Sequence, residues 1–70
     1  MKTIEINNRE KMQEVANDFE LNFDESILSF RVRMEGNEFV ISQEKSNSSI
    51  DVYEGIDEVG YFEELAATLK

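Results

Sequence analysis

Carboxylates are the only abundant reactive groups in this sequence: sixteen Asp and Glu stand against seven Lys and Arg, with no His and no Cys. Without imidazole or thiol, Ser-His-Asp triads, Cys-His pairs, zinc fingers and disulfides are all excluded. A pair of carboxylates can in principle hydrolyse a glycosidic bond. No pair is set apart here by spacing or context, and a chain this short rarely encloses a substrate cleft as well as a core. The nearest approach to a calcium loop, Asp51-Val52-Tyr53-Glu54-Gly55, fails the D-x-[DN]-x-[DN]-G pattern at its third position. There is no phosphate-binding glycine loop. The expectation is therefore no enzyme, no catalytic residue, no cofactor and no metal.

What the carboxylates can do is bind. The net charge is −9. Residues 12–30 carry Glu14, Asp18, Glu20, Asp24 and Glu25 with no base among them. Residues 46–69 carry Asp51, Glu54, Asp57, Glu58, Glu63 and Glu64, again with no base. Such a surface repels nucleic acids and anionic membranes, and its electrostatic partners should be basic. Carboxylates satisfy arginine forks bidentately, as phosphates and base edges do, so a rigid acidic domain can occupy a nucleic-acid site by imitation. The plainer reading is that the acidity only keeps a small domain soluble.

These groups need a scaffold. The stretch Leu28 to Ser42 reads as a β-hairpin. Leu28, Phe30, Val32 and Met34 alternate with Ser29, Arg31 and Arg33, then Phe39 and Ile41 alternate with Glu38, Val40 and Ser42. Its turn falls at Glu35-Gly36 or Gly36-Asn37, and both place the same residues inward. Arg31 and Arg33 are expected to pair with Glu38, Glu44 or helix acids rather than to form an anion site. Before the hairpin, Thr3 to Ile6 is a short strand. Asn7 reads as a helix N-cap with Glu10 as capping-box partner, and Met12, Val15, Ala16 and Phe19 form one apolar stripe. Leu21 and Phe23, in the connection Glu20–Ser26, should fold back onto the core. After the hairpin, Gln43–Ser49 reads as a polar, mobile loop. Residues 50–54 favour strand, although Ile50, Tyr53 and Ile56 leave a helix open. Glu54-Gly55 reads as a turn. A helix capped by Asp57 then follows, with Val59, Phe62, Leu65, Ala66 and Leu69 on one face, and Gly60 costs it up to about 1 kcal/mol in its first turn.

The expected fold is a single α+β domain over residues 1–70, in the order β-α-β-β-β-α. A small antiparallel sheet of three or four strands carries both helices on one face. The core would be Ile4, Ile6, Met12, Val15, Phe19, Leu28, Phe30, Val32, Phe39, Ile41, Phe62, Leu65 and Leu69. No apolar run reaches the ~18 residues of a membrane span. The start MKTIEINNREKMQEV has no apolar signal core, so a cytoplasmic location is expected.

Gly36-Asn37-Glu38-Phe39-Val40-Ile41-Ser42, with the preceding Phe30-Arg31-Val32 and the polar Glu44–Ser49 segment, resembles the central hairpin of a small, very acidic, phage-encoded type II-A anti-CRISPR family. The likeness covers about 20 of the 70 residues. Members of that family inhibit a type II CRISPR nuclease by sitting where the protospacer-adjacent motif (PAM) of DNA binds. The resemblance implies a DNA mimic in the cytoplasm of an infected bacterium, with an RNA-guided nuclease as partner. It implies partner contacts at Glu35, Asn37, Glu38 and Phe39, supported by the acids Asp57, Glu58, Glu63 and Glu64. Glu35 stands where the family has aspartate, and Phe39 replaces a tyrosine. The strand before the first helix departs from the family, and the acidic C-terminal tract is thinner. Two other readings stay open: an acidic interaction module, which can be a homodimer, and a DNA mimic aimed at another nucleic-acid-binding protein.

Overall fold

A computed structural model describes residues 3–68. The elements are β1 (Thr3–Ile6), α1 (Arg9–Phe19), β2 (Ile27–Glu35), β3 (Glu38–Lys45), β4 (Ile50–Ile56) and α2 (Tyr61–Thr68). The expected order β-α-β-β-β-α and the α+β class are both found. The strands form one antiparallel sheet in the order β1-β2-β3-β4. Ile6, Phe30, Val32, Ile41 and Phe39 pack in one cluster with Met12, Val15 and Ala16 of α1 and Phe62 and Leu65 of α2. Both helices therefore cover the same face. Leu21 and Phe23 pack against that cluster as expected, while Ile4 and Phe19 are only partly buried at its margin. Leu69 lies outside the described residues.

Helix α1 starts one residue later than its expected cap. Asn8, not Asn7, is the N-cap, and its side-chain oxygen accepts from the Lys11 amide at 3.0 Å. That register puts Lys11, not Glu10, at the capping-box position. The helix ends at Glu20 in the left-handed region, φ 55°, with Leu21 N donating to Ala16 O at 2.8 Å. The connection onward is held by Arg9. Its guanidinium lies 4.5 Å from the centroid of the Phe23 ring and donates to the carbonyls of Ile27 and Asp24.

The central hairpin closes on Gly36-Asn37, with Glu35 opposite Glu38. Gly36 has φ 65° and Asn37 does not share it, the pattern of a two-residue turn with glycine first. At the other end the alternation breaks. A register shift between Ile27 and Ser29 turns Ile27 inward, 2% exposed, and leaves Leu28 56% exposed. Leu28 is thus not a core residue; the bulge inserts one residue and re-aims its neighbours.

Further expectations are corrected later in the chain. Strand β3 runs on to Lys45, and Gln43 is fully buried, its Nε2 donating to Asn22 O at 2.8 Å. Only Ser46–Ser49 turns the chain. Residues 50–54 are strand, and Glu54-Gly55 continues that strand to Ile56 instead of turning. Helix α2 begins at Tyr61, not Asp57, and Val59 is 83% exposed. Gly60 precedes the helix at φ 72°, where a glycine is favoured and carries no helix penalty.

Candidate functional site

The end of the sheet at the β2–β3 turn gathers most of the carboxylates expected to bind. Glu35 and Glu38 face each other across the turn and are exposed. Two like charges directly opposite destabilise a sheet. Arg33 relieves half of this, with Nη2 2.9 Å from Glu35 Oε1. Glu38 has no base beside it among the described residues.

The next strand brings in a second acidic segment. Ile56 pairs with Glu38, and Asp57 N donates to Asn37 O at 2.9 Å. That bond fastens the β4–α2 connection to the hairpin tip. Asp57 faces inward to the helix: Oδ1 accepts from Tyr61 N at 2.7 Å and Oδ2 from Phe62 N at 3.2 Å. Its carboxylate satisfies two of the orphan amides of α2 and offsets their partial positive charge. Glu58 and Val59 project from the same connection into solvent.

Between this connection and α1 lies an open depression of about 380 Å³, lined by Asp18, Phe19, Phe39, Ile56, Glu58 and Tyr61 among others. Its floor is aromatic. The Phe19 ring centroid is 4.8 Å from those of Phe39 and Tyr61. The Tyr61 hydroxyl donates to Asp18 Oδ2 at 3.0 Å. Partial burial, then the hydrogen bond to the Asp18 carboxylate, raises the Tyr61 pKa well above its usual value.

The structure thus brings together Glu35, Asn37, Glu38, Asp57 and Glu58. Phe39 is close to them, is 8% exposed, packs in the core and lines the depression with its ring. Its position inside the sheet follows from the hairpin's own alternation. Glu64 lies on the far side of Tyr61, in a neighbouring hollow of about 270 Å³ with Asp18 and Lys11. Among the described residues, no side-chain hydrogen bond or ion pair joins Glu63 to the tip. Asp18, Tyr61 and Ile56 line this depression and were missed by sequence reasoning. Asp18 belonged to a base-free tract and so carried a signal. Tyr61 and Ile56 carried none, because the helix start and strand end were misplaced.

The other paired bases are elsewhere. Arg31 bridges Glu5 at 3.3 Å and Glu44 at 3.2 Å, Lys11 pairs with Glu14, and Lys45 lies 2.6 Å from Asp51. The expected pairing of Arg31 with Glu44 is found; Arg33 takes Glu35, and neither arginine reaches Glu38. Glu38 and Glu58 are exposed and join no ion pair among the described residues, and Glu58 lines the aromatic-floored depression. Such groups can accept paired N–H donors from a guanidinium. Among the described residues, no cluster could hold a metal ion, and no helix is long and apolar enough to cross a membrane.

Comparison with protein-family models, curated proteins and solved structures finds no match to this chain.

Proposed function

We propose that this protein is a binding inhibitor whose acidic hairpin end enters a basic nucleic-acid groove as a DNA mimic. The target we infer is the PAM-reading region of a type II CRISPR nuclease. The observation that supports this most is the Asp57 N to Asn37 O bond. It makes two separate acidic segments into one rigid edge that carries Glu38 and Glu58 unneutralised. In such nucleases two arginines grip guanines bidentately; Glu38 and Glu58 offer those forks carboxylates in their place. Glu35 can join by exchanging Arg33 for a partner arginine. Asp57 acts as the helix cap and holds the edge in place. The protein needs no cofactor, and it binds its partner and not the nucleic acid.

The double substitution Glu38→Lys with Glu58→Lys tests this. Each removed charge-assisted bond is worth about 1.5–3 kcal/mol, so affinity should fall by about 100-fold or more. Inhibition undiminished in that variant would remove the assignment.

A second reading, an acidic module that assembles with itself and uses its charge for solubility, is favoured by the exposed apolar side chains of the edge strand β4.

A further inference from the structure

Strand β4 is an edge strand of seven residues, and three of its side chains, Ile50, Val52 and Ile56, are 58%, 54% and 54% exposed. They lie on the sheet face that carries no helix. The phase of the backbone can be read from the two ends of the strand. Lys45 N donates to Ser49 O, and Asp57 N donates to Asn37 O. Both pairs extend the β3–β4 register, in which Glu44 faces Ile50 and Glu38 faces Ile56. Hydrogen-bonded pairs recur at every second residue of an antiparallel ladder. Asp51, Tyr53 and Gly55 therefore spend their backbone groups on β3. Ile50, Val52, Glu54 and Ile56 send theirs outward, to an edge that no strand pairs with among the described residues.

Soluble proteins guard such edges with proline, lysine, bulges or shortness. The opposite edge, β1, is short, with four residues. Strand β4 has no proline, no lysine and no register shift against β3. Its outward-facing residues are apolar except Glu54.

We propose that β4 pairs with β4 of a second copy of this chain, antiparallel about a two-fold axis at Tyr53. This follows from the edge alone and does not depend on the acidic end. In that register Ile50 faces the other copy's Ile56, Val52 faces Glu54, Asp51 faces Gly55 and Tyr53 faces Tyr53. Every outward N–H and C=O of the four edge residues is satisfied. No acid stands opposite an acid. Shifting the axis to Glu54 would set two glutamates face to face, and shifting it to Val52 would leave Ile56 unpaired. The two-fold also sends the two acidic ends to opposite ends of the joined sheet, where Asp57 and Glu58 approach the uncharged Ser48-Ser49 turn of the other copy. The net charge of −9 per chain opposes association, so the dimer should tighten as salt is raised. Binding to a basic partner moves the other way.

The chain has no cysteine, so a single introduced thiol reports the register. Tyr53 at a non-hydrogen-bonded two-fold position would have its Cα about 4.5 Å from its mate, within the span a disulfide bridges. The experiment is sedimentation equilibrium of the unmodified protein at low and high salt, with oxidative cross-linking of Tyr53→Cys and of Asp51→Cys. The expected results are a mass rising from one chain toward two between about 1 and about 100 µM, more so at high salt, and cross-linking of Tyr53→Cys at least about tenfold faster than Asp51→Cys. A monomer at every concentration and salt overturns the proposal, whether or not either variant folds, and that result would leave the acidic-end reading untouched. Equal cross-linking rates in folded variants overturn the register.

Discussion

The Phe39 ring lies over Gly55 of the neighbouring strand, so close that a Cβ on Gly55 would come within 2.9 Å of the ring edge. The glycine gives the aromatic ring room against β4, and the ring in turn forms the floor of the acidic depression. Gly55→Ala forces the ring or the strand to move. Overpacking of this kind costs about 1–3 kcal/mol, read as a lower urea midpoint. Phe39→Leu in the same chain should recover part of that loss, because the two positions share one space.

Asp57 and Glu58 are adjacent in sequence but have different work. Asp57→Ala removes the acceptor for Tyr61 N and Phe62 N and should cost about 1–2 kcal/mol of stability, with Asp57→Asn keeping most of it. Glu58→Gln touches no internal bond and should stay within about 0.5 kcal/mol. Thermal melts separate the two. Equal losses would mean that Asp57 does not cap the helix.

Tyr61 makes the fold sensitive to alkali. Its pKa is raised by partial burial and by donating to Asp18. The phenol is neutral when protonated, and its folded value lies above the unfolded one of about 10. Its contribution to stability is therefore complete below about pH 10 and is lost as pH rises through the folded value. Absorbance titration should show the last-ionising tyrosine disappearing in Tyr61→Phe, and that variant should lose less stability between neutral and strongly alkaline pH.

Arg9 staples the start of α1 to the loop before β2. It donates to the carbonyls of Ile27 and Asp24 and stacks on Phe23. A lysine cannot reproduce the fork. Arg9→Ala should cost about 1–3 kcal/mol and Arg9→Lys most of that, measured by urea unfolding. Asp24 in the same loop has its pKa lowered by the Ser26 hydroxyl and amide, so its share is present above the ordinary carboxylate range and is lost as pH falls through the folded value.

The order of elements along the chain and the helix count were legible because Met12-Val15-Ala16-Phe19 and Phe30-Val32-Phe39-Ile41 keep clean helical and strand periods. Errors fell where a local signal had a competing cause. Leu28 fitted the alternation, but the bulge after Ile27 broke it. Gly55 resembled a turn, yet the Phe39 ring accounts for it. Asp57 resembled an N-cap, and its carboxylate does cap α2, but from before Gly60. Glu35, Asn37, Glu38, Asp57 and Glu58 were legible as candidates; their meeting through Asn37 O and Asp57 N was not, because it depends on where β4 ends.

The most direct test mixes the purified protein with guide-loaded type II CRISPR nuclease, with and without PAM-containing DNA added first. The expected result is a stoichiometric complex that prior DNA blocks, that weakens as salt rises, and that Glu38→Lys with Glu58→Lys abolishes. Absence of binding to several such nucleases, or binding indifferent to both DNA and the charge reversal, would contradict it.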